Sequence, residues 1–226
     1  MKKNKKQILP QAKDTELIKI ENLLSVEEKI EKQSKTFEKV MFIYSVAMKE
    51  MVNKLEIMKD EFKIFYDYDL IDHINTRIKS PESIKKKMEE RGTQLTYQEM
   101  IKNINDIAGI RVICQLKKDI YTIRNLIEKL PGIHVLKEKD YVTTPKKSGY
   151  SSYHLVLEVP ITLSQKTMYV KVEIQIRTMA MDFWASLEHK MKYKPKGELT
   201  KATSKELVAC AKIVQKLDQK MMLLNQ

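Results

Sequence analysis

The chain of 226 residues lacks the features that define several large classes of protein. Its two cysteines, Cys114 and Cys210, are far apart and belong to no CxxC or Cys/His spacing, which argues against a disulfide framework or a structural zinc site. No stretch approaches the roughly 18 apolar residues of a membrane span, and the basic start lacks the apolar core of a signal peptide. We therefore expect a soluble, cytoplasmic protein with no membrane partner.

Several catalytic and architectural motifs are also missing. The phosphate-binding motif GxxxxGK[ST] does not occur, so a bound triphosphate would have to be held by side chains and helix ends. There is no GxSxG and no cysteine placed near a histidine, so no nucleophilic triad is predicted. Internal repeats, low-complexity tracts and Gly/Ser linkers are absent from the sequence, and its length suits one α/β domain with helical additions.

The chain does carry a strong excess of positive charge. Its 42 Lys and Arg residues against 30 Asp and Glu residues give a formal net charge of +12. Such an excess favours anionic partners, which include nucleotides, RNA and acidic lipid. Charge alone does not choose among them.

Local patterns predict helices at both ends of the chain and five strands between them. The predicted strands cover residues 72–79, 109–116, 135–143, 151–159 and 168–177. Further helices are predicted over residues 81–90 and from the end of the second strand to residue 130, and loops over 92–96 and 195–200. This succession of elements predicts an α/β (α+β) fold, with a mixed five-stranded sheet surrounded by helices.

Two apolar seams follow heptad-like spacing on the terminal helices. The first comprises Phe37, Met41, Tyr44, Met48, Met51, Leu55, Met58, Phe62 and Phe65. The second comprises Leu207, Cys210, Val214, Leu217, Met221 and Leu224, after a break at residues 195–197. Each seam could pack on the domain's own sheet or contribute to an oligomer, and both alternatives stay open.

The segment RIKSPESIKKK has the composition of a phosphate-binding helix start. Ser80 is a good N-cap and Pro81 suits the first helical position, so free N–H groups would face an anion. Ser83 and Lys87 lie four residues apart on one face of that helix, and Lys79 precedes it. An ordinary capped surface helix that carries lysines is the alternative.

Two further segments supply carboxylates on a predicted sheet. In NDIAGIRVIC, Asp106 is placed in the turn before a buried strand in which Arg111 is the only charge. In YVKVEIQIR, apolar residues alternate with polar ones, so Glu173 shares a polar strand face with a lysine and an arginine. Asp106 and Glu173 together would suit Mg²⁺ and phosphate oxygens, whereas a turn aspartate and a solvated sheet face are the simpler alternatives.

The segment after Glu173 predicts a strand that runs straight into an amphipathic helix. Thr178 suits the N-cap of that helix. The predicted apolar stripe behind it comprises Ala180, Phe183, Trp184, Leu187 and Met191.

A basic turn in KEKDYVTTPKKSGYSSYH precedes the fourth strand. Tyr150 and His154 share one strand face, and an aromatic ring beside lysines on a glycine-containing loop can stack on a nucleobase. A structural role for His154 is the alternative.

Taken together, residues 68–193 resemble the small alarmone synthetases of the RelA/SpoT family, and more closely their RelP-type than their RelQ-type members. The markers, in order, are RIKSPESI, DIAGIRVIC, DYVTTPKKSGYSSYH and VEIQIRTMAMDFWASLEHK. The resemblance implies a nucleotidyltransferase-like synthetase fold with a mixed sheet wrapped by helices. It also implies transfer of pyrophosphate from ATP to the 3′-OH of GDP or GTP, which releases AMP and forms the alarmone of the stringent response.

The resemblance implies a donor site for ATP. Arg77 and Arg111 would hold the adenine, and Lys79, Ser83 and Lys87 would hold the phosphates. Family members are homotetramers, so it also favours an oligomeric assembly through the terminal helices.

It further implies a catalytic and an acceptor site. Asp106 and Glu173 would bind Mg²⁺, with Glu173 also the base for the 3′-OH. Tyr150 would stack on guanine, and Lys146 and His154 would contact the phosphates or sugar of GDP or GTP.

The chain also departs from the family. Long members often carry Arg-x-Lys-Asp where residues 137–140 read KEKD, so the choice between GDP and GTP is open, with Lys139 kept as an acceptor-binding candidate. No His-Asp pair occurs among the four histidines, so we expect synthesis of alarmone without its degradation. The expected organisation is a helical extension over residues 1–66, a synthetase domain over 67–195 and a C-terminal helix over 196–226. A non-catalytic RNA-binding protein is the alternative function, since the basic charge and tyrosine-rich loop would also serve RNA.

Overall fold

A computed structural model describes residues 33–192 and 200–225 of the chain. Its helices are α1 (Gln33–Tyr66), α2 (Pro81–Glu90), α3 (Tyr97–Asn103), α4 (Lys117–Glu128), α5 (Met179–Lys192) and α6 (Lys201–Leu224). Its strands are β1 (His73–Ile78), β2 (Ala108–Cys114), β3 (His134–Asp140), β4 (Tyr153–Leu163) and β5 (Lys166–Thr178). Residues 1–32 of the predicted extension over 1–66, the break at 195–197 and the boundary at 195/196 lie outside the described residues.

The five strands form one mixed sheet in the order β1-β2-β5-β4-β3. β2 and β5 run parallel, and the other three neighbouring pairs are antiparallel. The predicted fold class and all five strands are therefore confirmed. The largest shift is at β4, which continues through Pro160 to Leu163 because it pairs along its length with β5.

Side-chain caps account for where several helices begin. In α2, the Ser80 hydroxyl accepts a hydrogen bond from the backbone N–H of Ser83, and Pro81 occupies the first turn, as predicted. Helix α3 was not predicted, although Thr96 caps it by accepting from the N–H of Glu99. Its seven residues give too short an apolar pattern to be recognised by period.

The first apolar seam packs against the sheet of its own chain. Tyr44, Met51 and Leu55 on α1 are fully buried in the main core, which includes residues from β2, β4 and β5. The intramolecular alternative is therefore correct for the middle of this seam. Its last residue, Phe65, is 78% exposed.

The buried face of α5 is rotated relative to the predicted apolar stripe. Phe183 is 67% exposed and Leu187 is also exposed, while Met181, Trp184 and Ala185 are buried. The helix continues directly from β5, and the N–H of Met181 donates to the Thr178 hydroxyl, which is the predicted cap. The rotation of α5 is thus set by its strand and its cap, and hydrophobicity alone did not reveal it.

The second seam is mostly exposed to solvent. Leu217, Met221, Leu224 and Cys210 are exposed, whereas the buried residues of α6 are Ala211 and Asp218. The alternative in which this whole seam packs on the domain is therefore wrong. Small and polar residues line the buried side because α6 approaches a glycine and a threonine closely, as described below. Within the described ranges, no helix is long and apolar enough to cross a membrane.

The packing of α1 predicts the effect of a charge at Met51. Met51→Glu should lower the free energy of unfolding by more than about 3 kcal/mol, because an unpaired charge would be buried in place of an apolar side chain. Ile57→Glu is the matched control, since Ile57 lies on the exposed side of the same helix. Denaturant unfolding and light scattering after size exclusion measure both variants. A stable, well-folded Met51→Glu protein would contradict the packing described for α1.

Candidate active site

The cross-strand register places a row of polar residues across all five strands. Moving from β1 to β3, the paired residues are Asn75, Arg111, Gln175, His154 and Lys139. The next row towards the start of β2 contains Arg77, Gly109 and Glu173. Alternation along each strand puts both rows on the same face, opposite the apolar residues that pack on α1. Polar side chains from distant parts of the sequence therefore meet on one surface.

This surface forms the floor of a cleft of about 770 Å³. Of the predicted site residues, those that line it are Arg77, Asp106, Arg111, Lys146, Tyr150, His154 and Glu173. Gly109 adds no side chain to the floor, and residues of α5, among them Ser186 and His189, form another part of the wall. The sequence-predicted donor, carboxylate and acceptor residues thus converge on one cleft.

The remaining predicted residues lie beside the cleft. Lys79 and Lys87 bind Asp106, and the Ser80 hydroxyl donates to the hydroxyl of Ser83 at the start of α2. Lys139 Nζ lies 5.8 Å from the centre of the Tyr141 ring. Seven of the eleven predicted site residues therefore line the cleft, and Lys79 and Lys87 are joined to it through Asp106.

Asp106 is the centre of a positively charged cluster. Its Oδ2 lies 2.9 Å from Lys79 Nζ and its Oδ1 lies 2.8 Å from Lys87 Nζ. Burial on its own would raise the pKa of the Asp106 carboxyl, but the hydrogen bonds and charges of Lys87 and Lys79 hold this pKa below its ordinary value. Asp106 is therefore ionised at neutral pH, and it brings together Lys79, which precedes α2, and Lys87, which lies in the last turn of that helix.

Glu173 lies in a separate, partly buried environment on β5. Gln175 Nε2 donates to its Oε2 at 2.9 Å, and His154 Nδ1 lies 3.7 Å from its Oε1. Burial again acts to raise the pKa, and the interactions with His154 and Gln175 outweigh it, so the pKa of Glu173 is lowered. The negative charge of Asp106 acts in the opposite direction on this pKa, which indicates that the two carboxylates interact.

Tyr150 and Glu173 belong to one ring of polar contacts. Arg177 Nη2 donates to Tyr150 Oη and to Gln175 Oε1, each at 2.6 Å. Tyr150 Oη shares a hydrogen bond of 2.8 Å with His154 Nε2. Through His154 and Gln175, which both approach Glu173, the ring closes, so the predicted stacking residue and the predicted base cannot shift independently.

Gln175, Arg177 and Asp182 are functional candidates that the sequence did not single out. Arg177 is 4% exposed and also donates to Ser152 Oγ and Asp182 Oδ1, while Asp182 Oδ1 lies 3.0 Å from Arg111 Nη1 as well. The alternation on β5 put Gln175 and Arg177 on the polar face and could have found them. No pattern in the sequence pointed to Asp182, which contacts Arg111 and Arg177 only because of the rotation of α5.

The loop before β4 presents its aromatic rings to lysines. Lys146 Nζ lies 4.7 Å from the ring centre of Tyr141 and 4.8 Å from that of Tyr150. Tyr141 meets both Tyr150 and His154 edge to face. Cations and π faces are therefore gathered at one end of the cleft, as a stacking site for a base with phosphates requires.

Two of the residues in the segment 137–140, which departs from the family pattern, make structural contacts. Glu138 pairs with Arg124 through Oε2 at 2.8 Å, and Tyr153 Oη donates to Glu138. Asp140 Oδ1 accepts from the N–H groups of Val142 and Thr143. The two acidic residues thus stabilise the strand end and turn, and the charge of Lys139 is left next to Tyr141.

Comparison with known proteins places the chain in a family. The model for the region found in RelA and SpoT proteins matches residues 76–198, which is more than half of the chain. The chain belongs to the RelA/SpoT family. It is 42% identical to the GTP pyrophosphokinase YwaC of Bacillus subtilis over 182 residues, which cover 80% of this chain and 87% of YwaC.

Two solved structures extend the similarity of this RelA/SpoT family member to three dimensions. The small alarmone synthetase 2 of Bacillus subtilis superposes with a TM-score of 0.76 at 39% identity, covering 84% of this chain and 97% of that one. The small alarmone synthetase 1 of the same organism, bound to its product pppGpp, superposes with a TM-score of 0.78 at 31% identity, covering 85% and 97%. The resemblance inferred from the four sequence markers is confirmed.

The lysine cluster predicts a stability effect for this RelA/SpoT protein. Asp106→Asn should lower the free energy of unfolding by about 1 to 3 kcal/mol, because Lys79, which is 9% exposed, would lose its charged partner. Since folding lowers the pKa of Asp106, its contribution is present above the ordinary value of 3.8 and is lost as the pH falls through the folded-state pKa. The variant should therefore lose less stability in acid than the parent.

Denaturant titrations at pH 7 and near pH 3 measure both effects. Lys79→Met in the Asp106→Asn background is the control and should recover part of the loss, because the buried charge is then removed. An Asp106→Asn protein as stable as the parent at pH 7 would contradict the pairing.

Proposed function

We propose that the protein is a small alarmone synthetase, which transfers pyrophosphate from ATP to the 3′-OH of GDP or GTP and releases AMP in the stringent response. The observation that carries this proposal is that Asp106, in the turn before β2, and Glu173, on β5, line one cleft together with cationic side chains. The names of the relatives, and the pppGpp bound to one of them, support it. An RNA-binding protein would gain nothing from two carboxylates at the centre of its cationic surface.

The donor half of the cleft suits ATP. Arg77 pairs with Gly109 and Asn75 with Arg111, so Arg77 and Arg111 are diagonal neighbours on one face of β1 and β2. Diagonal neighbours lie roughly 7 to 8 Å apart, which leaves room for one flat adenine between two guanidinium groups. Nε of Arg111 is buried and has no hydrogen-bond partner among the described residues.

The phosphates of ATP would extend from there to the start of α2. Lys79 and Lys87 already converge on one anionic group, Asp106, and Ser83 lies in the first turn of the helix, whose N–H groups favour anions. A polyphosphate can take the place of the carboxylate as the partner of these lysines. The donor half thus binds ATP through side chains, which is consistent with the missing phosphate-binding loop.

The acceptor half suits a guanine nucleotide. Tyr150 offers its ring for stacking, and Lys146 and Lys139 bring positive charge to the same end of the cleft. His154 lies between Tyr150 and Glu173 and would contact the phosphates or sugar. The ribose 3′-OH would then point towards Glu173.

The two carboxylates also fit a magnesium ion. Oxygen ligands suit Mg²⁺, which usually takes one or two carboxylates and completes its shell with phosphate oxygens and water. No group of three or more metal-ligating side chains occurs in the described part of the chain. Bound Mg²⁺ would neutralise charge on the phosphates of ATP. Asp106 and Glu173 are the residues that would hold it.

The chemistry then follows from placement. The 3′-oxygen of the acceptor attacks the β-phosphorus of ATP, the bond from that phosphorus to the bridging oxygen of AMP breaks, and the hydroxyl proton passes to Glu173. Because its pKa is lowered, Glu173 is ionised and can accept a hydrogen bond from the hydroxyl. Phosphoryl-type transfer depends mainly on in-line positioning and charge neutralisation, and the lysines and arginines of the cleft would supply the neutralising charge.

We further propose a cytoplasmic homotetramer. Exposed apolar side chains at the end of α1 and along α6 support an assembly, and they comprise Ile64, Phe65, Ile213, Leu217, Met221 and Leu224. Burial of such side chains contributes about 1.5 to 3 kcal/mol each. Light scattering that gives the mass of a monomer at micromolar concentration would overturn this part of the proposal.

Replacing the proposed base tests the reaction directly. Glu173→Gln keeps the size of the side chain and removes its charge, so turnover should fall at least about a hundredfold. Nucleotide chromatography after incubation with ATP, GDP and Mg²⁺ should show AMP and guanosine tetraphosphate in equal amounts for the parent. Glu158→Gln, on the same strand-pair but away from the cleft, is the control. Near-parent turnover of Glu173→Gln would remove Glu173 from the mechanism.

Substitutions in the two halves of the cleft should separate the two nucleotides. Tyr150→Ala should weaken GDP binding by roughly five- to a hundredfold, since stacking contributes about 1 to 3 kcal/mol per base, and should spare ATP. Lys87→Ala should weaken ATP and spare GDP. Tyr150→Phe, which keeps the ring and loses the hydroxyl, distinguishes stacking from the contacts with Arg177 and His154. Calorimetric titrations in which every variant loses both nucleotides equally would refute this division.

A further inference from the structure

The C-terminal helix α6 lies outside the region that defines the family, which ends at residue 198. It nevertheless packs on α5 and α4 and reaches the acceptor half of the cleft. Three contacts connect α6 to residues that carry or flank the acceptor site. Each joins a different part of the helix to a different element.

The first contact joins Ala211 to the loop that carries Lys146 and Tyr150. Gly149 has a φ of +91°, a conformation that favours glycine, and a Cβ added there would lie 2.5 Å from Ala211 Cβ. Neither residue leaves space for a larger one. The backbone next to Tyr150 is therefore held directly against α6.

The second contact joins Leu207 to Trp184 on α5. Trp184 Nε1 donates to the backbone oxygen of Leu207 at 2.8 Å. Trp184, Ala185 and Ala211 form a small buried cluster, against which Tyr150, Leu207 and Val214 pack. The apolar support of Tyr150 thus comes partly from α6.

The third contact joins Asp218 to the end of β5. Thr178 Oγ1 donates to Asp218 Oδ2 at 3.0 Å, and both residues are buried. Thr178 also caps α5 and directly follows Arg177, which holds Tyr150 and Gln175. Asp218 therefore fixes the strand end from which Arg177 reaches the acceptor site.

We propose that α6 is a positioning element for the acceptor nucleotide, with Ala211 and Asp218 as its positioning residues. Through Ala211 the helix contacts the loop that carries Tyr150. Through Asp218 it contacts the end of β5, next to Arg177. Of the proposed ATP ligands, Arg77 lies on β1, Lys79 directly after it and Lys87 on α2, while Arg111 is linked to α5 through Asp182. Loosening α6 should consequently weaken binding of the guanine nucleotide and leave ATP largely unaffected. The identity of the two nucleotides rests on the proposed function.

A matched pair of substitutions tests the contact with Gly149. Ala211→Met should push α6 from the loop and raise the KM for GDP about tenfold, with the KM for ATP within about twofold of the parent. Ala209→Met makes the same change on the exposed side of the helix and should leave both values unchanged. Trp184 is the only tryptophan, so its emission should shift to longer wavelength in Ala211→Met alone. Equal changes in both KM values, or none, would overturn the proposal.

A second pair of substitutions tests the contact between Asp218 and Thr178. It also tests the positioning role of α6 if Ala211→Met does not fold. Asp218→Ala removes the acceptor for Thr178 and should raise the Kd for GDP about tenfold, measured by calorimetry. Asp218→Asn keeps a side-chain oxygen and should restore most of the affinity, while the Kd for ATP stays within about twofold in both. Parent-like GDP affinity of Asp218→Ala, or equal loss of ATP affinity, refutes the positioning role. If the parent protein binds GDP but forms no alarmone, the proposed function fails, and GDP affinity still decides the role of α6.

Discussion

The cleft depends on the burial of one face of the sheet under α1. Because Tyr44, Met51 and Leu55 cover that face, every second residue of β2, β4 and β5 must be apolar and the residues between them must face the cleft. A shift of one residue in any strand would exchange the two faces and expose the core. The apolar packing on one side therefore keeps the polar rows on the other side in register, although no hydrophobic residue takes part in the proposed chemistry.

Electrostatics then divides the polar face into two parts. The chain carries a net charge of +12, and its two proposed catalytic carboxylates remain ionised because each has its own partners. Asp106 is held by Lys79 and Lys87, the proposed phosphate ligands, whereas Glu173 is held by a histidine and an amide that belong to the proposed acceptor half. The same carboxylates thus organise the polar face and separate the positions proposed for the two nucleotides.

Much of the site was predicted from local patterns. The cap of α2, the placement of Asp106 in a turn and the polar alternation of β5 depend on neighbours in sequence, and the structure confirms them. The rotation of α5 and the burial of α6 depend on which element packs on which. On α5 the predicted stripe was wrong for Phe183 and Leu187, and on α6 packing of the whole seam on the domain was wrong. Arg177 and Asp182 acquire a possible role only once β5, α5 and the Tyr150 loop lie together.

The sequence by itself therefore determined the strands, the family and the residue types of the donor, carboxylate and acceptor groups. These follow from periods of two and of about 3.6 residues, from caps and from contiguous motifs, all of which act over short stretches of chain. The tertiary structure alone decided the strand order, the closed ring through Arg177 and the support of the Tyr150 loop by Ala211. Those features join residues separated by up to about sixty positions, and their geometry depends on packing distances that no local pattern of residue types contains.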